Sequence, residues 1–263
     1  MSVSLVITTY NWPQALELVL MSVMQQSVLP NEVIIADDGS TVLTRDLIAK
    51  FQENFPVPLH HSWQDDDGFR AARSRNKAMA KATGNYIVII DGDMILHHHF
   101  IRDHKKAAKP NQFIQGRRVI LTEKLTKQTF DSKNIHFSVF SPDVKNKFNT
   151  ISCRLLSPLV SCLFSKQSYR SIRSCNMAMW KQDVIKVNGF NEAFVGWGRE
   201  DSEFALRMLN AGIKRKDLRL GGVAYHLYHR EQTRNNLNNN DRLLEEAVKN
   251  QVTTCQHGLS EHL

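Results

Sequence analysis

The sequence predicts an α/β fold, a mixed but mainly parallel sheet flanked by helices, built as one domain with an inserted irregular segment. Three observations carry this. Short apolar, β-branched runs at Val3–Ile7, Val33–Ala36 and Tyr86–Ile90 read as buried strands. Between the first two, Leu16, Val19, Leu20, Val23 and Met24 recur at helical spacing, and strands alternating with helices mark a parallel sheet. At 263 residues the chain fits one large α/β domain.

Taken in order, Val3 to Thr8 is the first strand and Thr8-Thr9-Tyr10-Asn11 the loop after it. Pro13 falls where a helix can start without losing a hydrogen bond. Glu32–Ala36 is the second strand, closed by Asp37-Asp38-Gly39-Ser40. A helix over Thr44–Glu53 and a short strand near Pro58–Ser62 follow. Arg70–Ala82 is a basic helix with Gly84 expected as its C′ residue. Tyr86–Ile90 is the central strand. His97-His98-His99 opens a helix through Lys106; three adjacent histidines do not converge on one ion. Phe113–Gly116 and Val119–Leu121 are further strands. From Thr122 to about Ser171 no period persists. Order returns at Cys175–Trp180, with helices over Lys181–Val187 and from Phe204 to Gly212. Gly221–His229 is a last strand, Arg230–Asp241 a polar mobile loop and Leu243–Val252 a closing helix.

Composition narrows the partners. Lys and Arg exceed Asp and Glu by eight, 34 against 26. Such a surplus suits nucleic acid, an anionic membrane surface or phosphate-bearing substrates. No basic helix with interleaved aromatics and no nucleic-acid motif is present, so nucleic acid ranks last. The chain has no apolar run long enough to span a membrane and no signal-peptide pattern at Met1. Cys153, Cys162, Cys175 and Cys255 lack metal-type spacing and read as free thiols of a reducing cytosol.

Two stretches carry chemistry. Tyr86–Ile90 runs straight into Asp91-Gly92-Asp93. Paired carboxylates at the carboxyl end of a parallel strand lie where open α/β sheets bind ligands, and they suit Mg²⁺ or Mn²⁺. Thr8 and Asp38 fall on the same sheet edge, and Arg75 or Arg70 is placed to reach a diphosphate beside Asp91. The second stretch is Gly196-Trp197-Gly198-Arg199-Glu200-Asp201-Ser202-Glu203. Acids in a first helical turn are favoured by capping and the helix dipole. Two glycines around one large aromatic suit a platform for a sugar ring. At the end of the last strand, His226 or His229 is able to complete the metal shell.

With these residues in view, the chain resembles family 2 of the inverting nucleotide-sugar glycosyltransferases, which have the Rossmann-like GT-A fold. Thr8-Thr9-Tyr10-Asn11, Ala36-Asp37-Asp38-Gly39-Ser40, Arg75-Asn76 and Ile90-Asp91-Gly92-Asp93 match the family's landmarks in order. Trp197-Gly198-Arg199-Glu200-Asp201 and Ala224-Tyr225-His226 are similar to the C-terminal part of β-1,4-galactosyltransferases and bacterial chondroitin-type polymerase modules. The resemblance covers nearly the whole chain outside about 122–171, and the motifs are specific as an ordered set rather than singly.

The resemblance implies roles. Thr8, Tyr10 and Asp38 would hold uracil and ribose, with Arg75 and Asp91 also on the donor. Asp91, Asp93 and His226 would bind Mn²⁺ or Mg²⁺. Asp201 would be the catalytic base, Glu200 would bind hydroxyls, and Trp197 with Arg199 would meet the acceptor. Several relatives carry a third acid where this chain has Ser202, a departure expected to alter acceptor contacts rather than the base. Residues 1–121 would form the nucleotide-sugar half, 122–174 an insert near the acceptor side, and 175–263 the acceptor-binding half. The implied reaction moves galactose or N-acetylgalactosamine from a UDP-sugar to a lipooligosaccharide, lipopolysaccharide or capsule glycan, free or lipid-linked. The expected place is the cytoplasm, peripherally on the inner face of the inner membrane. A sugar-phosphate nucleotidyltransferase needs a glycine-rich loop after the first strand, whereas this chain has Thr9-Tyr10-Asn11-Trp12-Pro13. The alternative outside catalysis is a glycan-binding or scaffold subunit of a polysaccharide assembly complex.

Overall fold

A computed structural model describes residues 1–230 and 236–263. The first half runs β1 (Val3–Thr9), α1 (Pro13–Met24), β2 (Glu32–Asp37), α2 (Val42–Gln52), β3 (Leu59–Trp63), α3 (Ala71–Lys81) and β4 (Tyr86–Asp91). Next come β5 (Met94–Leu96), α4 (Phe100–Ala107), β6 (Gln112–Gln115), β7 (Val119–Leu121), α5 (Glu123–Ser132), β8 (Val144–Lys145) and α6 (Ser157–Phe164). The chain closes with β9 (Asn176–Trp180), α7 (Lys181–Lys186), α8 (Glu200–Asn210), β10 (Lys214–Asp217), β11 (Ala224–His226) and α9 (Leu237–Lys249).

The apolar runs become strands because both faces of the main sheet are covered. Val3, Leu5 and Ile7 pack with Leu16, Val19 and Leu20 of α1 on one face. Val6, Ile87 and Ile89 pack with Met79, Val184, Phe204 and Met208 on the other. Period-two alternation thus sends successive residues of one strand into two cores. The sheet order is β10-β6-β9-β4-β1-β2-β3. The pairs β1–β2, β1–β4 and β2–β3 are parallel, while β9 lies antiparallel between β4 and β6. Parallel register sets Thr8 beside both Ala36 and Asp91, so the loops after β1, β2 and β4 open on one edge.

A second sheet, β5-β11-β7-β8, positions the site from the other side. In the β5–β11 pair His226 is opposite Met94, and Leu227 N–H donates to Asp93 O at 3.0 Å. That pairing carries a residue 133 positions downstream to the Asp-Gly-Asp turn.

Several expectations need correcting. The stretch over 122–171 is not wholly irregular. It holds α5, which starts at Thr122 with its hydroxyl accepting from Leu125 N, and α6. Gly84 is not a left-handed C′ residue; it is glycine because a Cβ there would come within 2.5 Å of Ser4 Oγ. The strand β10, Lys214-Arg215-Lys216-Asp217, was not foreseen. It tolerates its charges at the sheet edge because Arg215 pairs with Asp217 at 2.7 Å. The loop expected over Arg230–Asp241 is in part helix, since α9 begins at Leu237; residues 231–235 lie outside the described residues.

One buried side chain ties the two halves of the chain together. Asn76 on α3 donates to Phe190 O at 2.7 Å and Glu192 Oε1 at 2.8 Å, and accepts from Phe190 N at 2.8 Å. Asn76→Ala strands these partners in a site that is fully buried. The expected loss is about 3 kcal/mol of unfolding free energy, read from the urea midpoint at unchanged m-value.

Candidate active site

Of the residues singled out from the sequence, all but Arg70 line one cavity of about 870 Å³: Thr8, Tyr10, Asp38, Arg75, Asp91, Asp93, Trp197, Arg199, Glu200, Asp201, His226 and His229. It opens at the carboxyl ends of β1, β2 and β4, where an open α/β sheet binds ligands.

On the sheet side, Asp38 is buried. It accepts Arg70 N–H at 2.8 Å and Gln64 Nε2 at 2.7 Å. The Arg70 side chain itself turns away to Asp67, so its backbone, not its charge, serves the cavity. Tyr10 is half-exposed on the rim and donates to Asp66 at 2.9 Å. Burial pushes the Asp38 carboxyl up to about 6, against the two hydrogen bonds and Arg75. A carboxyl raised on folding adds stability that is complete below its unfolded pKa and is lost as pH rises through about 6. Asp38→Asn should therefore flatten the fall in stability between pH 4 and 7 by roughly 2–3 kcal/mol. Denaturation at pH 4 and pH 7 measures it. The buried and unpartnered Gln64 Oε1 offers the new amide an acceptor.

At the centre Arg75, fully buried, gathers the acids. Its Nε donates to Thr8 Oγ1 at 3.2 Å, and its terminal nitrogens stand 3.4 Å from Asp91, 3.5 Å from Glu200 and 3.6 Å from Asp201. The Phe190 ring lies 5.3 Å beneath the guanidinium. One cation among three carboxylates leaves net negative charge. Burial and then the Asp201 charge push Glu200 up to about 7, with Arg75 opposing. Asp201 accepts Ser174 N–H at 2.8 Å through Oδ2, while its buried Oδ1 has no hydrogen-bond partner.

The acids lie at the start of α8 because Gly196, Gly198 and Arg199 take left-handed backbone, φ +77°, +103° and +78°. Two of the three are glycines, for which that region carries no Cβ penalty. The turn presents Trp197 to the cavity, partly exposed. The Arg199 side chain pairs with Asp241 of α9. Glu203, the remaining acid of the turn, is committed elsewhere. It pairs with fully buried Arg207 at 2.7 Å and 2.8 Å.

In the same cavity the ends of β4 and β11 bring together Asp93, His226 and His229, with one ligand atom from each within 4.8 Å of the others. Asp93 Oδ2 is 3.5 Å from His226 Nε2 and 3.3 Å from His229 Nε2. Its Oδ1 is buried without a partner. Burial, with Arg118 nearby, holds His226 down at about 4, so its ring is neutral, the form that ligates metals. An orphaned carboxylate oxygen and a neutral imidazole fit a divalent cation, and the mixed oxygen–nitrogen set suits Mn²⁺ better than Mg²⁺. Asp91 is outside this group and faces Arg75. His229 is inside it: the strand's polar end offered either histidine and the family resemblance named His226 alone, whereas both converge on Asp93.

Residues 4–165 match the model of glycosyl transferase family 2, and residues 159–230 match one described as the N-terminal domain of galactosyltransferase. The chain belongs to glycosyl transferase family 2.

Among curated proteins it is 26% identical over 237 residues to the chondroitin synthase of Escherichia coli, covering 85% of this chain and 34% of that protein. It is 26% identical over 239 residues to the hyaluronan synthase of Pasteurella multocida, covering 85% of this chain and 24% of that protein. The chain thus spans a quarter to a third of these relatives. The structure of Staphylococcus aureus TarS 1–349 with UDP superposes with a TM-score of 0.63 at 14% identity, over 100% of this chain and 68% of that one. A Pyrobaculum calidifontis mannosyltransferase, in complex with GDP-Man and Mn²⁺, gives 0.60 at 18% identity, over 87% and 57%. At these identities the superpositions define the fold.

Proposed function

We propose that the protein is a metal-dependent inverting glycosyltransferase. It moves a sugar of the galactose or N-acetylgalactosamine type from UDP to a hydroxyl of a bacterial surface glycan. The observation that carries the reading is that one cavity holds both the Asp93–His226–His229 group and the Asp201 carboxylate, whose Oδ1 accepts no hydrogen bond. Thr8, Tyr10 and Asp38 receive the nucleoside. Asp93, His226 and His229 would hold Mn²⁺, and Asp91, paired with Arg75, would meet the donor's ribose. A bound divalent ion supplies charge neutralisation to the departing diphosphate.

Asp201 takes the proton from the acceptor hydroxyl as that oxygen attacks the anomeric carbon. The bond to the nucleotide breaks from the opposite face, so one displacement inverts the configuration, as in inverting glycoside hydrolysis with a sugar hydroxyl in place of water. Arg75 fixes the carboxylates in place, and Trp197 packs on a sugar ring. In this reading residues 1–121 bind the donor, 175–263 carry the base and the acceptor contacts, and 122–174 shapes the acceptor side.

Relatives named for chondroitin and hyaluronan synthesis, and a structural neighbour holding UDP, support a UDP-sugar and a glycan. No helix among the described residues is long and apolar enough to cross a membrane. Exposed Phe148, Leu155, Leu159 and Leu163, near exposed Lys147, Arg154 and Lys166, suit peripheral contact with an anionic leaflet. High salt should release the protein from membranes, and full solubility at low salt would remove this part of the reading.

Calorimetric titration tests the donor assignment. UDP with Mn²⁺ is expected to bind more tightly than GDP with Mn²⁺, and EDTA to weaken UDP strongly. Equal UDP affinity with and without the ion would count against a metal-held diphosphate.

A further inference from the structure

A second cavity of about 690 Å³ adjoins the first, with Arg118, Ile120, Arg173 and Cys175 lining both. That is the size of a small-ligand site, about 300–1,000 Å³. Its walls carry Arg117, Arg118, Lys166, Arg170, Arg173 and Arg219. These come from separate places in the chain: the β6–β7 connection, the segment between α6 and β9, and the turn after β10. Arg215 also lines the cavity but is neutralised by Asp217 at 2.7 Å. Asp217, the one carboxylate on the wall, additionally accepts Lys166 N–H at 3.0 Å.

Among the described residues Arg117, Arg118, Arg173 and Arg219 have no ion-pair partner. The Nε atoms of Arg117 and Arg219 are buried with no hydrogen-bond partner. Burial, with Arg219 facing it, lowers the pKa of Arg117, and burial lowers that of Arg219. One carboxylate, Asp217, already paired with Arg215, faces this whole group of half-buried and exposed arginines, so the cavity keeps a surplus of positive charge. Phe164 lies 5.4 Å from the Arg219 guanidinium and, with Phe148, gives the cavity apolar wall. The neighbour of Arg173, Ser174, is hydrogen-bonded to Asp201. A molecule presenting its hydroxyl to Asp201 therefore has room for its next units in this cavity.

We propose that this cavity seats an anionic group of the acceptor, a phosphoryl or a carboxylate, and that the acceptor is a negatively charged glycan rather than a neutral one. The forked donors of several arginines match both oxyanions bidentately. The word acceptor rests on the transferase reading above; the anion site rests on the cavity alone.

The test is calorimetry in EDTA, with glucose 6-phosphate, glucuronate and glucose as probes. A parallel arm uses phosphatidylcholine vesicles with and without a polyprenyl diphosphate. At least one anionic probe is expected to bind, with glucose about tenfold weaker or more. Arg117→Gln/Arg219→Gln should lower the anion affinity by about tenfold or more. Lys50→Gln/Lys249→Gln, which removes the same charge from distant exposed helix positions, should not. The double arginine variant relieves repulsion, so its urea midpoint should stay level or rise; a single Arg219→Gln repeats the titration if it does not.

Preference for the soluble anions assigns the group to the glycan, and preference for the diphosphate vesicles assigns it to a lipid carrier. Equal affinity for glucose and its phosphate, or equal losses in the two double variants, overturns the proposal. Should anions bind here while no nucleotide sugar is turned over, the transferase reading fails and the anion site stands.

Discussion

Asp201→Asn should lower transfer by about 10³-fold while UDP affinity in Mn²⁺ is unchanged. The amide keeps the shape of the carboxylate, and its oxygen still accepts Ser174 N–H, so the start of α8 stays in place. What it lacks is a site for the proton of the attacking hydroxyl. Glu200→Gln is the control that gives the result meaning. Glu200 lies one residue away, shares Arg75, and is pushed up to about 7 by burial and by Asp201. If Glu200 were the base, Glu200→Gln would cost the thousandfold and Asp201→Asn much less. Asp201 Oδ1 accepts no hydrogen bond and has the Arg75 guanidinium 3.6 Å away, whereas Glu200 accepts from Arg75 at 3.5 Å; the oxygen without a hydrogen-bond donor is the one better placed to receive a proton.

Asp93→Ala should abolish Mn²⁺-dependent turnover without unfolding the protein. Metal assistance is worth several kcal/mol, so a loss of about 10³-fold is expected at about 1.4 kcal/mol per decade. Its effect on the metal-free fold has the opposite sign. Burial pushes the Asp93 carboxyl up to about 6, with His229 and Arg118 opposing, so at neutral pH an incompletely compensated charge is held out of water, and removing it relieves that cost. Wild type should gain about 2.7 kcal/mol from Mn²⁺ at a hundred times its Kd, whereas Asp93→Ala should gain nothing. His226→Ala and His229→Ala should each weaken the ion, which separates the geometric group from the sequence motif Asp91-Gly92-Asp93. Full Mn²⁺ affinity in His229→Ala would return Asp91 to the ligand set.

The parts of this molecule that the sequence made legible are those with continuous apolar runs. β1, β2 and β4 are buried on both faces, so their residues could hardly be anything but β-branched and aliphatic, and the polar residues that interrupt them mark the sheet edge. The acids of α8 were legible because Gly196 and Gly198 punctuate the turn. β10 was hidden because it lies at an edge and carries Lys-Arg-Lys-Asp, neutralised by contacts that only the fold supplies. α5 hid for another reason: its hydroxyl cap at Thr122 and its Glu123–Lys127 pair at 2.8 Å are local signals, but it buries little and shows no clear apolar stripe. That both His226 and His229, and not one of them, stand beside Asp93 was not legible, because it depends on β11 pairing with β5. The arginine cavity is assembled from residues between 115 and 219, which are far apart along the chain and are brought together only by the fold.

The most direct measurement is nucleotide release from a panel of nucleotide sugars by the purified protein in Mn²⁺ without acceptor. Slow hydrolysis of one UDP-sugar, stopped by EDTA and absent in Asp93→Ala, is the expected result and fixes the donor together with the metal site. No release from any nucleotide sugar, with no binding of UDP, would contradict a metal-dependent transferase and leave a glycan-binding subunit in its place.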